Sequence, residues 1–247
     1  MEKRSLPSYL LLGLLAAFSL TSTQAHGATL YSQTFEGFSN GDLVGQGGWF
    51  QDIGTAVAFQ VQNTLANTGS KALEVDQAGQ PNFTRAIQFL STAGSPVIVI
   101  SMDFYVALAS NTGQFRLTTF TTSNTAFVDL IITSTGSTQL FNEAASTTAN
   151  AASVTVNAWH SVQLSMDFNG RTMGVRFDDG PTTSLGMGVN SVNSLGAIAI
   201  MALPSGTGTS KMFVDNLEVA SVPEPSTMVL LGMGLAAAAG LRRRRRG

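Results

Sequence analysis

"HSVQLSMDFNGRTMGVRFDDG", residues 160–180, sets Val162, Leu164, Met166 and Phe168 at every second position, and Met173, Val175 and Phe177 repeat the pattern beyond Asn169-Gly170. A period of two puts these apolar side chains on one face of an extended chain. Asn-Gly favours a two-residue type I′ turn, so the stretch predicts a β-hairpin with one buried face. Outward from it, strands are expected at 29–36, 56–62, 71–76, 83–90, 97–107, 114–121, 126–133, 153–156, 195–203 and 211–219. Clusters of Ser, Thr, Gly and Asn separate them at the spacing of an all-β sandwich or barrel. The Ala-rich stretch 142–153 reads as a loop. Neither a fixed-period repeat nor a linker interrupts residues 26–221, which predicts one domain.

The two ends have a different character. Met1-Glu-Lys-Arg4 is basic, residues 9–20 are apolar, and Thr23-Gln-Ala25 offers small residues for cleavage, so 1–25 reads as a secretory signal peptide. Its apolar core is well short of the ~20 residues of a membrane span. Residues 228–241 are apolar or small and would make about 21 Å of helix. Arg242 to Arg246 follow, and the positive-inside rule keeps them cytoplasmic, with everything before Val222 on the far side of the membrane. A short C-terminal transmembrane helix is therefore expected. Pro223 and Pro225 hold the backbone around Glu224 extended, in a form that a peptidase can grip.

Without its ends the chain is acidic. Residues 26–221 hold six Lys or Arg against thirteen Asp or Glu, a net charge of −7, and contain no cysteine. Such a surface argues against nucleic acid and anionic lipid as partners. The fold has to rest on its core and not on disulfides, and about 200 residues suffice for that.

Val222-Pro223-Glu224-Pro225-Ser-Thr227, the apolar segment and the terminal arginines, together residues 222–247, resemble the PEP-CTERM sorting signal of Gram-negative bacteria. The resemblance implies an exosortase as partner, membrane attachment through 228–241 before processing, and delivery to the cell surface or to an extracellular matrix rich in exopolysaccharide. "TFEGFSNGDLVGQGGWF" (34–50), "AWHSVQLSMDFNGRTMGVRFDDG" (158–180) and "KMFVDNLEV" (211–219) resemble a concanavalin A-like or laminin-G-like jelly roll, a fold that joins its termini in neighbouring strands. Sandwiches of that outline tie first and last strands together through Ca²⁺. The resemblance implies such a structural calcium site at Glu36 and Asp215, completed by backbone carbonyls. The alternation leaves the facing of Asp215 open: it shares one face with Phe213, Leu217 and Val219, while Met212 and Val214 make the other face equally apolar. No other cofactor is called for.

Catalytic patterns are incomplete. Glucanases of that fold carry Glu-x-Asp-x-Glu along a strand, whereas here Glu74 and Asp76 are followed by Ala78. Only His26 and His160 are present, without a Gly-x-Ser-x-Gly elbow, a His-Glu-x-x-His helix or a cysteine nucleophile. The chain is not expected to be an enzyme. For sugar binding, Trp49 in its glycine-rich loop is the first candidate, with Tyr31 and Tyr105 behind it; the alternative packs Trp49 over the sandwich edge and Trp159 in the core. Three functions are consistent with this reading: an exported, non-catalytic matrix protein associated with exopolysaccharide, a carbohydrate-binding module, and a polysaccharide hydrolase or lyase with an unrecognised site.

Overall fold

In the computed structural model, which describes residues 27–54, 58–77, 83–92, 95–107, 113–188, 193–203 and 210–222, the stretch 160–180 forms a hairpin. Its strands are β12 (Trp159–Asp167) and β13 (Thr172–Phe177). Val162, Leu164, Met166, Met173, Val175 and Phe177 are buried, as the alternation requires. The turn differs from the expected one. The last pair is Asp167 with Thr172, so four residues make the loop, and the left-handed conformation falls on Arg171 (φ 55°) and not on Gly170. Asp167 Oδ1 accepts the Gly170 N–H at 2.6 Å, and this side-chain bond sets the turn in place of a type I′ geometry.

Before this hairpin come β1 (Thr29–Gln33), β2 (Gly41–Asp42), β3 (Phe50–Ile53), β4 (Phe59–Gln62), β5 (Ala72–Asp76), β6 (Thr84–Phe89), β7 (Val97–Ala107), β8 (Gln114–Thr121), β9 (Ala126–Thr133), β10 (Thr138–Asn142) and β11 (Thr147–Asn150). After it come β14 (Thr183–Gly186), β15 (Leu195–Leu203) and β16 (Lys211–Ser221). One sheet runs β14-β13-β12-β7-β16-β5-β4-β2, with β1 on the far half of β16; the other runs β11-β10-β9-β8-β15-β6-β3. Every pairing is antiparallel, and the inner faces close on one apolar core in which Phe104, Phe115, Leu117, Leu164 and Ile200 are buried.

β10 and β11 pair with each other across the segment expected to be a loop, while 153–156 lies outside the strands. Val154 is apolar because it packs against the core, and its N–H is held by the Gly136 carbonyl at 2.9 Å, outside any ladder. β11 is an edge strand with exposed Thr147, Thr148 and Asn150, so no alternation marks it.

The termini do meet in neighbouring strands. β1 pairs with Leu217–Ala220, the Ser221 N–H donates to the Ala28 carbonyl at 2.9 Å, and the Val222 N–H donates to the Val97 carbonyl at 2.9 Å. The described strands thus reach Val222, where the expected sorting signal begins. The expected signal peptide, Pro223, Glu224, Pro225 and the expected span 228–241 lie outside the described residues.

Candidate functional site

β16 carries the feature that arranges the site. Met212 and Val214 face the core, and so do Leu217 and Val219, which alternation alone forbids. A β-bulge resolves the conflict: the ladder to β7 skips from Asp215 to Glu218, with Asn216 at φ 50°. The extra residue switches parity, so Phe213 and Asp215 turn to the outside of the sheet.

Outside, the registers align one row across the sheet: Trp159 pairs with Tyr105, Tyr105 with Phe213, Phe213 with Glu74 and Glu74 with Gln60. Tyr105 is tilted against Trp159 at 5.8 Å between ring centroids and meets Phe213 edge-on at 5.9 Å. Trp159 and Tyr105 are half-buried and Phe213 is buried at 7% exposure, so the accessible part of the aromatic strip is that of Trp159 and Tyr105. Glu74 and Asp76 share the Lys211 ammonium, at 2.5 and 3.2 Å. The bond to Glu74 raises the Lys211 pKa above that of a free lysine, against the opposing effect of burial.

The loop from β4 to β5 forms a wall beside this strip. Asp215, 0% exposed, accepts the N–H groups of Asn67 and Thr68 at 3.1 and 2.9 Å on Oδ2 and that of Asn216 at 2.8 Å on Oδ1. Glu36 holds the other end of the loop, accepting the Ser70 and Lys71 N–H groups, both at 2.7 Å, and the Ser70 hydroxyl at 2.8 Å. The Ser70 main-chain bond, chiefly, holds the Glu36 carboxyl below the usual glutamate range. The two residues expected to bind calcium thus converge on the same loop, and main-chain N–H donors satisfy both carboxylates. Among the described residues no three His, Cys, Asp or Glu side chains gather as metal ligands.

Trp49 is packed, as the alternative to sugar binding has it, whereas Trp159 lies on the outer side of the sheet and not in the core. Trp49 is 1% exposed, and its indole N–H donates to the Tyr31 hydroxyl at 2.8 Å. An indole enclosed in the core has no face free for a sugar, so Trp49 and its partner Tyr31 are removed from the candidate site, and Tyr105 is kept. Burial pushes the Tyr31 hydroxyl up in pKa. Trp159 lies outside because His160, its neighbour, is on the inner face against Phe104, with its ring nitrogens engaged by Asp178 and Thr155. The parity of Val162, Leu164 and Met166 already carried this information, since Trp159 stands at an odd position.

The opposite sheet has a second polar group on its outer side. Asp129 is 2% exposed, Arg116 bonds its Oδ2 at 2.8 Å, and among the described residues no N–H or hydroxyl reaches Oδ1. Burial, and then the Asp129 charge, push the nearby Glu143 carboxyl up in pKa. Phe89, 55% exposed, stacks on Phe50 at 5.2 Å on the same side.

Comparison with known proteins supports both halves of the chain. Residues 221–246 match the PEP-CTERM protein-sorting motif, which marks the chain for export and membrane-anchored processing. No curated protein matches the chain. Among solved structures, a sialidase superposes with a TM-score of 0.60 at 12% identity over 80% of this chain, which spans only 19% of that enzyme. The cellulose-induced protein Cip1 superposes at 0.55, with 14% identity, over 77% of this chain and 97% of its own. A botulinum neurotoxin type C structure, whose cell entry depends on two ganglioside molecules, superposes at 0.55 with 11% identity, over 84% of this chain and 51% of its own. At these identities the likeness establishes the fold, a jelly-roll β-sandwich.

Proposed function

We propose that this protein is a non-catalytic, exported component of the cell surface or matrix of a Gram-negative bacterium. An exosortase processes it at Val222 to Pro225, and it holds exopolysaccharide on the outer face of its larger sheet. The observation that carries this reading is the in-register row Trp159, Tyr105 and Phe213, with Glu74 and Gln60 at its end. Aromatic surfaces attract the C–H faces of pyranose rings, and polar groups beside them bind hydroxyls and fix orientation. The loop pinned by Asp215 and Glu36 supplies a rigid flank, so little ordering entropy is lost on binding. The non-catalytic reading is supported by the state of the nearest carboxylates, since Glu74 and Asp76 are both engaged by Lys211.

The test is affinity electrophoresis of the exported protein through gels containing the host's exopolysaccharide. Wild type should be retarded, and Trp159→Ala should bind at least about tenfold more weakly, the equivalent of one lost stacking contact. Trp49→Phe serves as the core control. Retardation that survives both Trp159→Ala and Tyr105→Ala would remove the row from the account.

A further inference from the structure

The charges around the aromatic row select among polysaccharides. Resting on the reading of this face as a glycan platform, we infer that its ligand is a glycan bearing protonated amines, such as a partly deacetylated hexosamine polymer, and that polyuronates are rejected. Asp103 stands in the row next to Trp159 and Tyr105, paired in register with Ser161, and among the described residues its Oδ2 accepts from two neutral amides, Asn67 at 2.9 Å and Asn216 at 2.7 Å. Its negative charge is therefore not cancelled by a bonded cation. At the other end, Lys211 is outnumbered by Glu74 and Asp76, and the exposed Asp42 continues the row past Gln60.

Among the described residues, carboxylates outnumber basic side chains along the row. Of the six Lys and Arg residues between 26 and 221, Arg85 and Arg116 lie on the opposite sheet with Asp52 and Asp129, and Arg176 bonds Gln163 and approaches Asp179. Lys71 and Arg171 point at main-chain carbonyls, of Phe38 and Gly188. The segments 78–82, 108–112 and 204–209, which adjoin the row in sequence, contain no charged residue. A uronate laid on the strip would meet Asp103 at one end and, at the other, an ammonium already shared by Glu74 and Asp76, whereas an amine-bearing sugar would find Asp103. At about 20 mM salt these charges act over about 20 Å, and at about 500 mM over about 4 Å.

Binding of the exported protein to chitosan, to a neutral β-glucan and to alginate, at about 20 mM and about 500 mM salt, tests the inference. The expected order at low salt is chitosan, then the neutral glucan, with alginate unbound. The preference of chitosan over glucan should be at least about threefold and should collapse at high salt. Asp103→Asn, which keeps an amide-compatible oxygen for Asn67 and Asn216, should narrow that preference. Alginate bound as tightly as glucan, or a chitosan preference indifferent to both salt and Asp103→Asn, overturns the charge argument while the platform stands. Binding of every polymer unchanged in Trp159→Ala overturns the platform itself, and the inference with it.

Discussion

Replacing Asp215 tests how the wall of the site is held. Asp215 is fully buried and accepts three main-chain N–H groups, two of them from the β4–β5 loop. Hydrogen bonds to a charged group contribute about 1.5–3 kcal/mol each. In Asp215→Ala the Asn67 and Thr68 N–H groups regain water as the loop lifts, which offsets part of the loss, so a net cost of about 3–5 kcal/mol is expected. For a domain of this size each kcal/mol shifts the melting temperature by about 2–4 °C, which gives a fall of at least about 6 °C. Asp215→Asn should fall between, because its oxygen still accepts from the loop while its NH₂ group confronts the remaining N–H donor. The assay is thermal unfolding followed by circular dichroism, run in EDTA and in millimolar calcium. The wild-type curves should coincide, because the carboxylates are already satisfied by N–H groups. A melting temperature unchanged in Asp215→Ala would refute the reasoning about the loop. A calcium-dependent rise in wild type, abolished in Asp215→Asn, would show that an ion and not the N–H donors governs the site.

Further outcomes follow from other parts of the chain. Glu143 has a raised pKa in the folded protein, so its contribution to stability should be lost as pH rises from about 4.3 towards that higher value; Glu143→Gln should flatten the loss, and superimposable melting profiles between pH 4 and 7 would count against it. Glu36 has a lowered pKa and the opposite sign: its hold on the loop is present above about 4.3 and fades as pH falls through the lower folded value, which hydrogen exchange at the Ser70 and Lys71 amides should report. Gly170→Val should cost about 1–3 kcal/mol, because a Cβ there lies 2.6 Å from Asp167 Oδ2, and Asp167→Ser should recover part of the loss. Intact-mass analysis of native material should find a chain lacking residues 1–25 and ending near Pro223 to Pro225; a surface form still carrying the five arginines would contradict processing.

Regular alternation made most strands legible. β7, β8, β9 and β15 fall where the apolar pattern places them, because each is buried on at least one face along its whole length. β11 and β14 were not legible for the opposite reason: they are edge strands of exposed Thr, Ser and Gly residues, formed by pairing and not by burial. The candidate site was readable in part. Tyr105 and Trp159 follow from the parity of their strands. Phe213 does not, since the bulge at Asp215–Asn216 reverses the face of everything before it and no local composition announces such a bulge. For Trp49 in its glycine-rich loop the sequence left both exposure and packing open. Here the glycines, several at positive φ, fold the loop so that the indole is carried inward to the Tyr31 hydroxyl.

The chain contains two tryptophans, one in the core and one on the proposed platform, and that contrast permits the most direct test. In ¹⁵N-labelled exported protein the two indole N–H resonances can be followed separately while glycan is titrated in, with Trp49→Phe giving the assignment. The Trp159 signal should shift in step with binding while the Trp49 signal, held by Tyr31, stays in place. Saturable binding that leaves the Trp159 indole unmoved would contradict the proposed platform.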